Sequence, residues 1–289
     1  MTVRTHRVPL SGSARSLEIR NPAGSTSVEA DPTTEEITLE VVALNSAAEE
    51  LIDRLDLTVT SASVRLSVPQ RRLLRTPSFA ITVTTPPDVH VAVAGASSDT
   101  MLRGRLAGAV LTSASGDVTV EHCTDLQART ASGDLRVDRV QGTATVATAS
   151  GDIQLADAGG AVQARSASGN VVLGDLAADA TVQTASGDVR IDRASNGTVR
   201  LTTVSGDATV GVAPGLRIWL DVQTVSGRMR SELDGADPGE GGAPQLTVVV
   251  KSVSGDLQLR RAVPRPPQPP TPPAPPAVEV PPAAPSTHD

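Results

Sequence analysis

The sequence predicts an all-β chain. Its main part winds as a parallel β-solenoid (β-helix) of about nine coils, each about 18 residues long, behind an N-terminal β-rich cap containing one short helix. Three observations predict it. First, a triplet recurs: Ser115-Gly116-Asp117, Ser132-Gly133-Asp134, Ser150-Gly151-Asp152, Ser168-Gly169-Asn170, Ser186-Gly187-Asp188, Ser205-Gly206-Asp207, Ser226-Gly227-Arg228 and Ser254-Gly255-Asp256, with serines 17, 18, 18, 18, 19, 21 and 28 residues apart. Second, the flanking residues alternate between apolar and polar, the period of a strand with one buried face. Third, aromatics are only 1% of 289 residues, Phe79 and Trp219 with no Tyr, so the interior must be filled by small aliphatics and hydroxyls.

The copies align column by column. Four residues before each Ser stand Leu111, Ala128, Val146, Ala164, Val182, Leu201, Val222 and Val250; two before it stand Ser113, Thr130, Thr148, Ser166, Thr184, Thr203, Thr224 and Ser252. After the triplet the alternation resumes, as in Val118/Val120, Ile153/Leu155 and Leu257/Leu259. A nearly constant step stacks like on like from one unit to the next, which hairpins do not require, so a coil is favoured over a meander or sandwich. The aliphatic steps of 7, 2 and 3 around the Ser exclude a left-handed hexapeptide helix, which needs one aliphatic every six residues. The corner Gly is expected to adopt φ > 0, the Asp to bond its own turn, and the Ser/Thr hydroxyls to bond along the stack. Ser97-Ser98-Asp99, 18 before Ser115, reads as a decayed first copy.

Taken in order, residues 1–95 form the cap. Leu17-Glu18-Ile19 and Val28-Glu29-Ala30 read as short strands flanking Asn21-Pro22-Ala23-Gly24, and Ile37 to Leu44 as a longer one. Ser46-Ala47-Ala48-Glu49 is a capping-box pattern ahead of Leu51, Ile52 and Leu55, predicting a helix over 46–55. Strands follow at 57–60, 63–68 and 79–84, and the turn Pro86-Pro87-Asp88 feeds 89–94 into the first coil. Residues 96–261 form the repeat solenoid. Ala213-Pro214-Gly215 and the Gly- and acid-rich stretch 231–244 lengthen two of its loops, and insertions into repeats collect on one side of the stack. Residues 262–289 are a disordered Pro-rich tail, read as a spacer or a peptide ligand.

Net charge −7 and pI near 5.2 argue against nucleic acid, which wants a basic face. A single Cys leaves no intrachain disulfide framework. No apolar run has signal-peptide or membrane-span length, so the expected location is cytoplasmic, with envelope association only through partners.

Few residues suggest chemistry. The Asp column (Asp117, Asp134, Asp152, Asp188, Asp207, with Asp256) is a weak candidate for a cation, since stacked carboxylates invite oxygen-loving Ca²⁺. It is broken by Asn170 and Arg228 and lacks the glycine pattern of calcium-binding coils, so no metal, cofactor or catalytic residue is expected. A column of near-identical turns also offers no pair of acids set apart by environment, as a glycosidase needs. His122-Cys123 falls on a solvent column beside an inner corner column. Trp219 has outward parity and is either a candidate partner anchor or packed under the long loop 231–244. Ice binding is excluded because the regular Thr column points inward.

The Ser-Gly-Asp units, Asn21-Pro22-Ala23-Gly24, the helix at 46–55, Pro86/Pro87 and Pro214-Gly215 together resemble the DUF4097 family of bacterial β-strand-repeat proteins, a family of adhesin candidates. The resemblance covers roughly residues 15–260. It implies an envelope-associated or stress-linked scaffold and supplies no catalytic residues; many members carry a membrane segment, which is not visible here. The function expected is a non-enzymatic adhesin-like binding scaffold with a protein or glycan partner, or end-to-end self-association. The alternative is a carbohydrate-active β-helix enzyme using acids near the long insertion: Asp221, Glu232, Asp234 and Glu240.

Overall fold

The computed structural model describes residues 2–9, 16–60, 62–68, 76–233 and 244–262. The tail 263–289, most of the 231–244 insertion and the acids Asp234 and Glu240 lie outside the described residues.

The N-terminal strands are β1 (Val3–Pro9), β2 (Ser16–Ala30), β3 (Glu36–Ala43), β4 (Asp56–Val59), β5 (Ser63–Ser67) and β6 (Phe79–Thr85). A one-turn helix α1 (Ser46–Glu49) and a 3₁₀ turn (Ile52–Arg54) stand between β3 and β4, shorter than the 46–55 helix expected. Asn45, not Ser46, is the N-cap: its Oδ1 accepts from the Ala48 N–H at 2.8 Å. The reason is spacing, because the side chain that caps must precede the first helical residue. The Asn21-Pro22-Ala23-Gly24 corner does not separate two strands. β2 runs through it unbroken, bent at Gly24 (φ 110°) over the backbone of Phe79.

The repeat strands are β7 (His90–Ser113), β8 (Val118–Thr130), β9 (Leu135–Val140), β10 (Ala144–Thr148), β11 (Ile153–Ala158), β12 (Val162–Ser166), β13 (Val171–Leu176), β14 (Ala180–Ser186), β15 (Val189–Ala194), β16 (Gly197–Ser205) and β17 (Ala208–Val212). They are followed by β18 (Ile218–Ser226), β19 (Met229–Ser231), β20 (Leu246–Ser254) and β21 (Leu257–Arg261). These form the parallel β-solenoid that the repeat predicts. One wall runs β8–β10–β12–β14–β16, in register Ala144↔Val162↔Ala180↔Val199; the other runs β9–β11–β13–β15–β17, in register Ile153↔Val171↔Val189↔Ala208. Long strands β7 and β8 each turn the corner and belong to both walls.

The stack starts well before residue 96. β2, inside the span read as cap, pairs in parallel with β7 from Ser16↔His90 to Glu29↔Arg103. It also pairs in parallel with β5 and β6, beyond which β4, β3 and β1 add antiparallel strands. The sequence hid this coil because it carries no Ser-Gly-Asp triplet.

The coils do not stack in the order in which the chain makes them. β20 lies between β16 and β18, parallel to both: Leu201↔Val250 on one side and Val222↔Val250 on the other. Likewise β21 lies between β17 and β19. The chain therefore steps over one level, lays down the outermost coil at 218–231, and returns to fill the gap with 246–261. Stacking from each unit to the next, as expected from the sequence, holds only as far as β16 and β17. The bore reflects this order. Leu246, Val248, Val250 and Leu259 are buried, whereas Ile218, Leu220 and Val222 in the last coil are only partly covered.

Candidate functional site

The Ser-Gly-Asp corners form one straight seam along the solenoid. Every Gly in it sits on a corner carbonyl of the adjoining coil. A Cβ on Gly133 would overlap the Gly116 carbonyl oxygen, one on Gly151 that of Gly133, and one on Gly169 that of Gly151. Positive φ is confined to the late corners, Gly206, Gly227 and Gly255; the triplet glycines before them do without it. Close approach of backbone, and not a left-handed turn, is what demands glycine over most of the seam.

From Ser113 to Thr203 the Ser/Thr column is buried, with Thr148 and Thr184 inside as expected; Ser252 is half-buried and Thr224, on the last coil, exposed, and the buried hydroxyls do not bond along the stack. Ser113, Thr130, Thr148 and Ser166 accept from the N–H of the Gly three residues on, at 2.8–3.0 Å, each closing its own corner. From Thr184 onward the strand extends through the Ser. The Gly187, Gly206 and Gly255 N–H groups turn instead to the Ser carbonyl of an adjoining coil, which leaves the Thr184, Thr203 and Ser252 hydroxyls without partners.

The Asp column does run along the stack. Asp99 Oδ1 accepts from the Asp117 N–H, Asp117 from Asp134, Asp134 from Asp152, Asp152 from Asn170, Asn170 from Asp188, Asp188 from Asp207, Asp207 from Asp256 and Asp256 from Arg228, all at 2.8–3.0 Å. The acids do not bond their own turns, as the sequence suggested; each holds the backbone of the next coil. Two carboxylates one strand spacing apart repel by about 1 kcal/mol in water-like surroundings, while a charge-assisted bond contributes about 1.5–3 kcal/mol. The bond wins, so no cation is required to hold the column together. Asn170 fits because its Oδ1 accepts as well as a carboxylate. Arg228 fits because it is last, with no further N–H to receive. Among the described residues no three His, Cys, Asp or Glu side chains converge as a metal would need.

This ladder makes a prediction. Asp152→Asn is expected to be nearly neutral, whereas Asp152→Ala should cost about 1–2 kcal/mol by stranding the Asn170 N–H. Urea midpoints of the two variants check it, and Ca²⁺ or a chelator should move neither wild-type nor variant midpoint.

The tempting pair separates as the columns suggested. Cys123 is buried, and burial, with Asp125 nearby, pushes its thiol up to about 12, far from a reactive thiolate. His122 lies level with Arg105 and Arg139 in the adjoining coils. Partial burial, then those two guanidinium groups, holds its imidazole below the ordinary histidine value. A cleft of about 1010 Å³ opens along β2 and β7, lined by Glu18, Arg20, Asn21, Ala94, Val110 and Thr112 among others. Burial pushes Glu18 up, but Arg65 and Arg20 together outweigh it and leave the carboxyl below its usual value.

Exposed apolar side chains gather at the outer end of the stack. Trp219 is 62% exposed and Val225 84%, with Val204, Val253 and Met229 nearby on the same three coils. Sequence reasoning singled out Trp219 alone. Val204, Val225 and Val253 were missed although each immediately precedes its Ser and so has outward parity; the exposure of Met229 follows from its place on the last coil, whose cue was Arg228 breaking the acid column.

No curated protein matches the sequence. Solved structures similar to the chain include a candidate adhesin from Bacteroides fragilis (13% identity, 89% of this chain and 97% of that chain, TM-score 0.44) and one from Parabacteroides distasonis (13%, 89% and 97%, 0.45). A candidate lipid-binding protein, also from Parabacteroides distasonis, is similar at 12% identity over 88% of this chain and 96% of that chain, with TM-score 0.41. The family model described as Toastrack DUF4097 matches residues 80–260, most of the stacked coils and their whole corner seam, so the chain belongs to the DUF4097 family.

Proposed function

We propose that the chain is a non-enzymatic, adhesin-like scaffold that presents side-chain columns of a rigid rod to a protein or glycan partner, with its place at or near the cell envelope. The observation that supports this reading most is the use made of the corner acids. The largest array of carboxylates in the molecule is committed to backbone N–H groups coil after coil, which gives a stiff, regular surface and no acid set apart from its neighbours. No helix among the described residues is long and apolar enough to cross a membrane, so envelope attachment by this part of the chain would run through a partner. Trp219 and its apolar neighbours are the surface of choice for such a contact.

The test is a polysaccharide panel. The full chain is expected to bind without releasing new reducing ends. Cleavage that disappears in Asp221→Asn or Glu232→Gln would overturn the scaffold reading in favour of a carbohydrate-active β-helix.

A further inference from the structure

We infer that the outermost coil, residues 218–231, is a self-association surface at which two copies of this chain join end to end about a two-fold axis, β18 against β18 in antiparallel register. This contact gives Trp219 to a second copy of the chain in place of a foreign partner, and leaves the side-chain columns along the rod free for the scaffold role.

Three observations carry it. First, the two ends of the rod are finished differently. At the N-terminal end the last strands are β1, which carries Arg4, Arg7 and Pro9, and β4, only four residues long; charge, proline and shortness are the usual protections of a sheet edge. At the other end β18 has nine residues, one charge (Asp221) and no proline, and among the described residues no strand pairs with its outer side. Second, its bore residues Ile218, Leu220 and Val222 remain half-covered, although their counterparts Leu246, Val248 and Val250 one level down are fully buried. Third, the acid ladder stops at Arg228. A further coil stacked in parallel would find no acceptor for its corner N–H there, so endless head-to-tail growth is not what this end supports. A two-fold contact needs no such acceptor, and it closes after two copies.

The residues of β18 fit that symmetry. With the axis through Val222, Trp219 faces Val225 of the second copy, and the pair occurs twice. Both side chains lie on the outer face, and an aromatic opposite a β-branched residue is a favourable cross-strand pair. The two bores meet, and the half-covered Ile218, Leu220 and Val222 become interior.

Sedimentation velocity of the full chain over a micromolar concentration series tests this. A reversible species of twice 29.5 kDa is expected. Val225→Lys, on a side chain 84% exposed in the single copy, should leave thermal unfolding unchanged and weaken association at least about 10-fold, or about 1.4 kcal/mol. Trp219→Ala, at the position facing Val225, should weaken it by a similar factor, again without lowering the unfolding midpoint. A chain that stays monomeric throughout, or a dimer indifferent to both Val225→Lys and Trp219→Ala, would overturn the proposal.

Discussion

Val250→Asp is expected to cost far more stability than Val222→Asp, although the two valines hold the same place in their repeats. Val250 is buried between Leu201 of β16 and Val222 of β18. A carboxylate there meets apolar neighbours on both sides and loses on the order of 4 kcal/mol. Val222 is partly covered, on the last coil, where water reaches it in the single copy; at concentrations that keep the chain monomeric the same change should cost about 1 kcal/mol. Were the coils stacked in chain order, Ser226 before Ser254, the ranking would be reversed, because Val222 would be the enclosed one. Urea denaturation of the two variants decides the matter. Hydrogen exchange adds a second readout. In Val250→Asp the amides of β18 should open together with those of β20, since β20 is the strand that holds β18 in place.

Gly169→Ala should be the most damaging single methyl in the molecule. The added carbon would press into the Gly151 carbonyl oxygen, which is itself fixed in the seam and cannot yield as a flexible side chain would. A loss on the order of 3 kcal/mol or more is expected, with local parting of the two coils at the corner. Gly215→Ala is the control. Gly215 has a left-handed φ of 79°, yet its missing side chain points into open space. Its cost should stay near 1–2 kcal/mol, that of the backbone conformation alone. Comparing thermal midpoints separates contact from conformation as the reason for glycine. If Gly215→Ala proved the worse of the two, close packing of the seam would not be its governing constraint.

Much of the architecture was legible because a repeat writes its own register. Eighteen residues from Ala144 is Val162, and eighteen more is Ala180, and the three stand in a row across parallel strands. The inward Thr column and the buried Cys123 follow from the same arithmetic. Neighbour order was not legible. Segments 218–226 and 246–254 carry the same alternation, so a one-dimensional pattern cannot say which of them touches β16. Arg228 held that information, but only once the acids were understood as acceptors for the next coil. The turn chemistry misled for a related reason: Gly and Asp are common corner residues for local causes, and here their partners are a coil away. The coil at β2 escaped notice because Asn21 replaces the repeat's polar cap. The two N–H groups of its buried side chain are shared among the carbonyls of Ser25 and Phe79 and the hydroxyls of Thr26 and Ser98, all 3.1–3.3 Å away, binding separate turns at one point.

The interleaved end sets a timetable for synthesis. Residues 218–231 leave the ribosome before the seat they will rest on has been made, because that seat is residues 246–261. At roughly 5–20 residues per second the interval is a few seconds. Throughout it a β-rich stretch, whose strand 218–226 carries one charge, is paired with nothing native, and nascent chains on one polysome bring many such stretches together. This terminus is thus the point where birth of the protein is most exposed to misassembly, and where a chaperone holding 218–226 until Ala262 has emerged would raise the yield of native rods.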